Sequence, residues 1–348
     1  MKAKPAVKNA PKAAAKPSAP PKPRTLNLVT AVNEALDLAM AADERVMILG
    51  EDVGRNGGVF RATDGLWKKY GDERVVDTPL AEIGIMGGAI GLAVNGMKPI
   101  AEIQFDGFMP AVFDQVVCHL GRIRSRSRGK LSVPLILRAP HGGLIHAPEH
   151  HSESPEAYFC HTPGIKVVIP STPYDAKGLL LAAIESPDPV VFFEPKLLYR
   201  SATGEVPSGH YTVPIGKARL VQEGSDLTIL TWGAMTVTSQ KAAERLAKED
   251  GASIEIVDLR TLSPLDLETI LSSVFKTGRC VIAHEAPNTG SWAAELSALI
   301  AERAFLKLLS PVERVGGWDI RMPLFRLEQY YIPDADRVVM AARKALNF

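Results

Sequence analysis

Two stretches of the sequence concentrate groups able to move protons. In LAEIGIMGGAIGLAVNG, residues 80–96, the single carboxylate Glu82 precedes fourteen residues without a charge. An acid there suits the first turn of a helix, where the dipole favours it, and it also suits a positioned proton acceptor. Pro79 fits the same first turn, and the small residues at 84, 87, 88, 89 and 91 let another backbone approach closely. The glycines at 84, 87, 88 and 91 lack the spacing of a dinucleotide-binding loop, which removes a pyrophosphate cradle of that type.

The second stretch, APHGGLIHAPEHHSESPEAYF at 139–159, follows an apolar run and carries His141, His146, His150 and His151. A loop at the carboxyl end of a parallel strand is where open α/β sheets gather ligands, so these imidazoles are candidates for proton transfer. The plain alternative is histidines that are solvated or cap the next helix. Zinc is a third reading, but the spacing follows no usual metal pattern and no cysteine accompanies it. GEDVG at 50–54 puts Glu51 and Asp52 after another apolar run, a position where carboxylates are commonly just solvated. The basic run RIRSRSRGK at 122–130 has no interleaved aromatics and reads as a charged helix end or a subunit contact.

The elements that must position these groups alternate. Apolar runs at 45–50, 98–105, 133–140, 165–170 and 189–195 are separated by helical patterns, one of them near 109–126. Continuous apolar runs between helices predict a parallel sheet covered on both faces, an α/β domain over 25–205. Residues 201–215 are rich in Gly, Ser and Pro. Beyond them runs at 226–233, 253–262 and 279–286, with helices at 235–249 and 291–307, predict a smaller α/β domain over 206–348. Residues 1–24, almost entirely Ala, Pro and Lys, read as a disordered arm; a mitochondrial transit peptide is a poor fit because the first arginine is Arg24 and prolines interrupt every turn.

With 40 basic and 39 acidic residues the chain has no overall field for nucleic acid or anionic membrane. Three scattered cysteines make neither a disulfide framework nor a thiolate zinc site. With no apolar run long enough to span a membrane and no secretory signal, a cytoplasmic protein is expected.

TPLAEIGIMGGAIGLAVNGMKPIAEIQFDGF, HHSESPEAYFCHTPGIKVVIPSTPYDAKGLLLAAIE, VVFFEPKLLYR, EIVDLRTLSPLDLETI and KTGRCVIAHEAP occur in collinear order. Together they resemble the β subunit of the thiamine-diphosphate-dependent branched-chain 2-oxo acid (2-oxoisovalerate) dehydrogenase, from about residue 25 to the C-terminus. The resemblance implies a transketolase-like pyrimidine-binding domain followed by a transketolase C-terminal-like domain. It also implies a heterotetramer of two α and two β chains that hands its acyl product to a lipoyl acyltransferase core. Diphosphate and magnesium would be held by the α chain through a Gly-Asp-Gly motif; here the Asp-Gly pairs at 64–65 and 106–107 lack the preceding Gly. This chain would hold only the pyrimidine half and be inactive alone.

By the same resemblance Glu82 falls on the activating glutamate that bonds a ring nitrogen of the aminopyrimidine, with Leu80 and Ile83 beside it. Phe108 falls where an aromatic ring, often Tyr, lies against the pyrimidine. His151 matches the histidine facing the incoming lipoyl group, with His150 its neighbour and rival. Glu51 falls on an acid that helps pass protons between paired sites. A structural potassium ion would be bound mainly through main-chain oxygens of Val133, Leu135, Ile136, Ala183, Ser186 and Asp188. The implied reaction is oxidative decarboxylation of a branched-chain 2-oxo acid, with pyruvate or acetoin as the alternative substrate. A catalytically silent scaffold and a nucleotide-binding oxidoreductase are readings of other classes.

Overall fold

A computed structural model describes residues 24–348. The arm expected over 1–24 lies outside the described residues except for Arg24, which opens a strand. In chain order the strands are β1 (Arg24–Asn27), β2 (Val46–Gly50), β3 (Val75–Asp77), β4 (Lys98–Glu102), β5 (Ile136–His141), β6 (Lys166–Val168) and β7 (Val190–Pro195). They continue as β8 (Thr203–Val206), β9 (Arg219–Gln222), β10 (Leu227–Thr231), β11 (Ile254–Asp258), β12 (Thr261–Ser263), β13 (Cys280–Pro287) and β14 (Glu313–Gly317).

The larger sheet has the order β12-β6-β7-β5-β4-β2-β3 and is parallel except for β12. Strands β2, β5 and β7 are buried at every residue, which is why they read as unbroken apolar runs rather than as an alternation. One face packs on the helices Leu28–Ala42 and Pro173–Glu185, with Leu36, Met40, Ile48, Leu180 and Phe192 in a common core. Each of these side chains contributes roughly 2 kcal/mol by leaving water. The other face packs on the helix Glu82–Val94. Its core is continuous with the second sheet: Met86, Leu137 and Phe193 belong to one cluster with Leu230, Val257 and Ile282. The second sheet, β14-β13-β10-β11-β9, is parallel apart from β9 and is covered on its outer face by helices Met235–Asp250 and Ala335–Leu346.

Four local expectations are altered. The segment 253–262 is not one strand: Arg260 turns the chain in the left-handed region (φ 56°), and β12 crosses to pair antiparallel with β6 and cover the edge of the larger sheet. Residues 203–206, inside the Gly-, Ser- and Pro-rich stretch, form a strand on β1. The helix expected over 109–126 breaks into Met109–Asp114, a wider turn over Gln115–Leu120 and Ile123–Arg126. It breaks where the Gly121 backbone is pressed on Pro163, whose carbonyl oxygen would lie 2.8 Å from any Cβ there. Finally, the helix at Glu82 begins at that residue, so Pro79 lies in the connection before it and not in its first turn.

Candidate active site

Strands β5, β4, β2 and β3 are consecutive in the larger sheet, and the connection leaving the carboxyl end of each carries one expected residue. Glu51 follows β2, Glu82 follows β3, Phe108 follows β4 and His151 follows β5. Parallel pairing puts all four connections on one edge of the sheet, the edge where such sheets bind ligands.

Glu82 is the first residue of its helix, and Ala81 before it supplies no side-chain cap, so the Glu82 carboxylate sits at the positive end of the dipole. The Thr78 N–H donates to the Gly50 carbonyl over 2.9 Å, drawing the approach to Glu82 against the end of β2. Glu51, next after Gly50, is only 5 % exposed, and its Oε1 is enclosed without a hydrogen-bond partner. Burial, then the charges of Glu82 and Asp52, push the Glu51 carboxyl above its ordinary range. A desolvated carboxyl with like charges nearby favours its own protonated form.

Glu82 itself is half-buried. Leu80 is 82 % and Ile83 53 % exposed, and a Cβ at Gly88 or Gly91 would meet nothing. Gly84, Gly88 and Gly91 form an exposed glycine face on this helix, while Ala89 packs into the core.

Across the edge, Phe105, Phe108 and His151 form an aromatic group. The His151 ring lies 4.2 Å from Phe105 and 5.2 Å from Phe108, centroid to centroid. His151 Nδ1 is 2.7 Å from the Glu149 carbonyl oxygen. A carbonyl only accepts, so the proton is on Nδ1 and Nε2 is left to exchange one with a ligand. His150 differs in every respect: it is exposed, takes φ 65°, and its carbonyl is packed on Gly107, where a Cβ would overlap it. His141 is not a loop residue. It ends β5, is buried, and lies 3.1 Å from a Glu156 oxygen; burial opposes its charge, but Glu156, Glu285 and Asp106 together hold the imidazole above its ordinary range. Among the described residues no cluster of three or more His, Cys, Asp or Glu is placed to hold a metal ion.

Buried ion pairs that the sequence did not announce support this edge. Asp106 accepts from Lys196 Nζ and from the Gly142 N–H, both at 2.8 Å. Burial pushes the Asp106 carboxyl up and the Lys196 amine down. Arg138 on β5 bridges Glu194 on β7 (2.6 Å) and Glu102 on β4 (2.7 Å), locking three strands near their carboxyl ends. The available signal was a charge inside an apolar run, as in LILRAP and VVFFEPK. A cavity of about 590 Å³ opens alongside, lined by Asp106, Gly107, His150, Glu153, Arg321 and Tyr331 among others.

The six positions matched to a potassium site sit at the opposite, amino end of β5 and β7 and at the end of the helix Pro173–Glu185, and several of their oxygens already accept hydrogen bonds. The Val133, Leu135 and Ala183 carbonyls accept from the N–H groups of Leu135, Val190 and Ser186. The Ser186 hydroxyl accepts from Lys166 Nζ at 2.9 Å and donates to the Asp188 carbonyl, and the Asp188 carboxylate takes Arg124 at 2.6 Å. The Lys166 ammonium and the Arg124 guanidinium beside the Ser186 and Asp188 side chains weigh against a further cation, although each carbonyl that accepts one N–H keeps a second lone pair.

Two sheets in this order, with acids and a histidine at the carboxyl edge of the first, define a transketolase-type chain. Residues 24–202 match the family "Transketolase, pyrimidine binding domain" and residues 216–338 match "Transketolase, C-terminal domain". A solved chain described as "Split gene transketolase, inactive beta4 tetramer" superposes with a TM-score of 0.75 at 25 % identity, over 92 % of this chain and 98 % of that one. Among curated relatives, the β subunit of the pyruvate dehydrogenase E1 component of Acholeplasma laidlawii is 52 % identical over 92 % of this chain and 97 % of its own. The mitochondrial 2-oxoisovalerate dehydrogenase β subunit of Dictyostelium discoideum is 54 % identical over 89 % and 83 %. The pyruvate dehydrogenase E1 β subunit of Bacillus subtilis is 50 % identical over 93 % and 99 %. The chain belongs to the family of E1 β subunits of 2-oxo acid dehydrogenases.

Proposed function

We propose that the chain supplies the pyrimidine-facing half of a thiamine diphosphate site in a branched-chain 2-oxo acid dehydrogenase, completed by an α chain. The observation that carries this is the acid pair: Glu82 at a helix N-terminus, flanked by exposed Leu80 and Ile83, with the unpartnered Glu51 oxygen enclosed beside it. An orphaned buried oxygen and two uncovered apolar side chains fit a site that is finished by an aminopyrimidine and a second subunit.

Bound thiamine diphosphate supplies the electron sink that decarboxylation of a 2-oxo acid needs. The residues of this chain prepare it. Glu82 offers a fixed carboxylate to a ring nitrogen, with the raised Glu51 carboxyl behind it for proton transfer. Phe108 offers an aromatic face without a hydroxyl. His151, with Nδ1 committed to Glu149, presents Nε2 for proton delivery while the acyl group passes to a lipoyl arm. The diphosphate and magnesium belong to the α chain.

Branched-chain substrates are favoured by the segments HHSESPEAYF and FFEPKLLYR and by the 54 % identity to a 2-oxoisovalerate dehydrogenase β subunit. Pyruvate is the second reading, favoured by relatives named as pyruvate dehydrogenase β subunits at 52 % and 50 % identity. Co-expression with an α chain, followed by thiamine diphosphate titration and decarboxylation assays on 2-oxoisovalerate and pyruvate, tests the proposal. Tight cofactor binding and a preference for 2-oxoisovalerate are expected. A pyruvate preference would replace the substrate, and absence of cofactor binding in the assembled complex would overturn the site.

A further inference from the structure

The connection from Gly142 to Ser152, which delivers His151, is held in an unfavourable shape. Leu144, His146 and His150 all take positive φ (61°, 57° and 65°), a region that side-chain-bearing residues rarely occupy. Such a backbone persists only where its surroundings over-determine it.

Here the surroundings are three buried carboxylates from three elements. Asp106 accepts from the Gly142 N–H at 2.8 Å. Glu285 on β13 accepts from the Gly143 N–H at 3.2 Å. Glu328, in the short helix Glu328–Tyr331, uses both oxygens: Oε2 accepts from the His146 N–H at 3.1 Å and Oε1 from the Ser152 hydroxyl at 3.2 Å. Glu328 is buried and makes no salt bridge among the described residues, so the connection itself supplies its hydrogen bonds. Side chains from the same C-terminal region close in as well: a Cβ on Gly143 would lie 2.6 Å from Ile332 and 2.8 Å from Met322, and Phe325 approaches the His146 ring at 6.3 Å.

We propose that Glu328, assisted by Glu285, is a positioning residue: the C-terminal part of the chain sets the backbone of the 142–152 connection and thereby the placement of His151. This rests on the reading of His151 as the group facing the lipoyl arm. It gives the second domain a part in acyl transfer without bringing any of its side chains to the substrate.

The test compares Glu328→Ala, Glu328→Gln and His151→Ala in the assembled complex with its α chain. Hydrogen–deuterium exchange is followed over 142–152, and two rates are measured, decarboxylation with an artificial electron acceptor and acylation of lipoyl. Glu328→Ala is expected to speed exchange in this segment about fivefold or more, as loss of two hydrogen bonds requires. It should slow lipoyl acylation about tenfold more than artificial-acceptor decarboxylation, the scale of a slightly misplaced reacting group. Glu328→Gln, whose amide oxygen still accepts from the His146 N–H while its amide N–H donates to the Ser152 hydroxyl, should restore most of both. Should the alanine variant fail to assemble, Ser152→Ala removes half of the clamp and is expected to show the same changes at smaller size. Unchanged exchange, or parallel loss of both rates in an assembled variant, overturns the proposal. If His151→Ala leaves lipoyl acylation intact while Glu328→Ala still frees the segment, the reading of His151 has failed and the clamp has not.

Discussion

Glu51 and Glu82 follow neighbouring strands β2 and β3, and the Glu82 charge, after burial itself, is the strongest influence raising the Glu51 carboxyl. The sign of the resulting pH dependence is fixed. A carboxyl raised above its ordinary 4.5 favours folding fully below that value and loses the contribution as pH rises through the raised one. Glu51→Gln, which fixes the neutral form, should therefore melt increasingly above the native complex as pH climbs from 4.5 toward neutrality. Calorimetry at several pH values measures the gap, and a gap that stays constant refutes the coupling.

Glu82→Gln keeps the size and the helix position of the side chain but removes its charge. Turnover of the assembled complex should fall about 10²–10⁴-fold, the scale of a lost acid–base group, while size-exclusion chromatography shows unchanged assembly. Native rates in this variant would remove Glu82 from the chemistry.

For His151→Ala the two half-reactions should separate. Acylation of lipoyl is expected to drop about a hundredfold, with decarboxylation to an artificial acceptor much less affected. Equal losses would mean that the ring matters for packing on Phe105 and Phe108 alone.

His284 on β13 stacks on Trp232, with centroids 5.5 Å apart and planes 13° apart, and burial pushes its imidazole down to about 4. A lowered histidine contributes stability above its unfolded value of 6.5 and loses it as pH falls through 4. The contribution is roughly 3 kcal/mol when fully expressed. His284→Phe keeps the stack and should flatten the acid limb of the stability profile between those two pH values. An unaltered acid limb would place acid sensitivity elsewhere.

Exchange of potassium for choline should leave the melting temperature unchanged, because Lys166 and Arg124 already bring two positive charges to the Ser186 hydroxyl and the Asp188 carboxylate. A bound ion at about a hundred times its dissociation constant would stabilise by about 2.7 kcal/mol, a shift that thermal scanning resolves easily. A concentration-dependent rise specific to potassium would restore the ion.

The buried framework of both sheets was legible because parallel strands covered on both faces have to be apolar end to end, and RVMILG, VPLILRAP and PVVFFEP are. The crossing of β12 to the first sheet was not legible, since SIEIVDLRTL reads as one run and only Arg260 turns it. Neither was the broken helix after Met109, because its cause, Pro163 against Gly121, lies far along the chain.

The site divides in the same way. Sequence by itself determined the residue types: an acid before a glycine-rich helix, an acid after an apolar run, a phenylalanine and a histidine pair, in an order matching a known family. Tertiary structure alone decided which histidine packs on Phe108, that the Glu51 oxygen is enclosed beside Glu82, and that Glu285 and Glu328 grip the connection carrying His151. The physical reason is that motifs record local chemistry. Burial, like-charge proximity and hydrogen bonds between distant segments exist only once adjacent parallel strands bring their carboxyl ends to one edge.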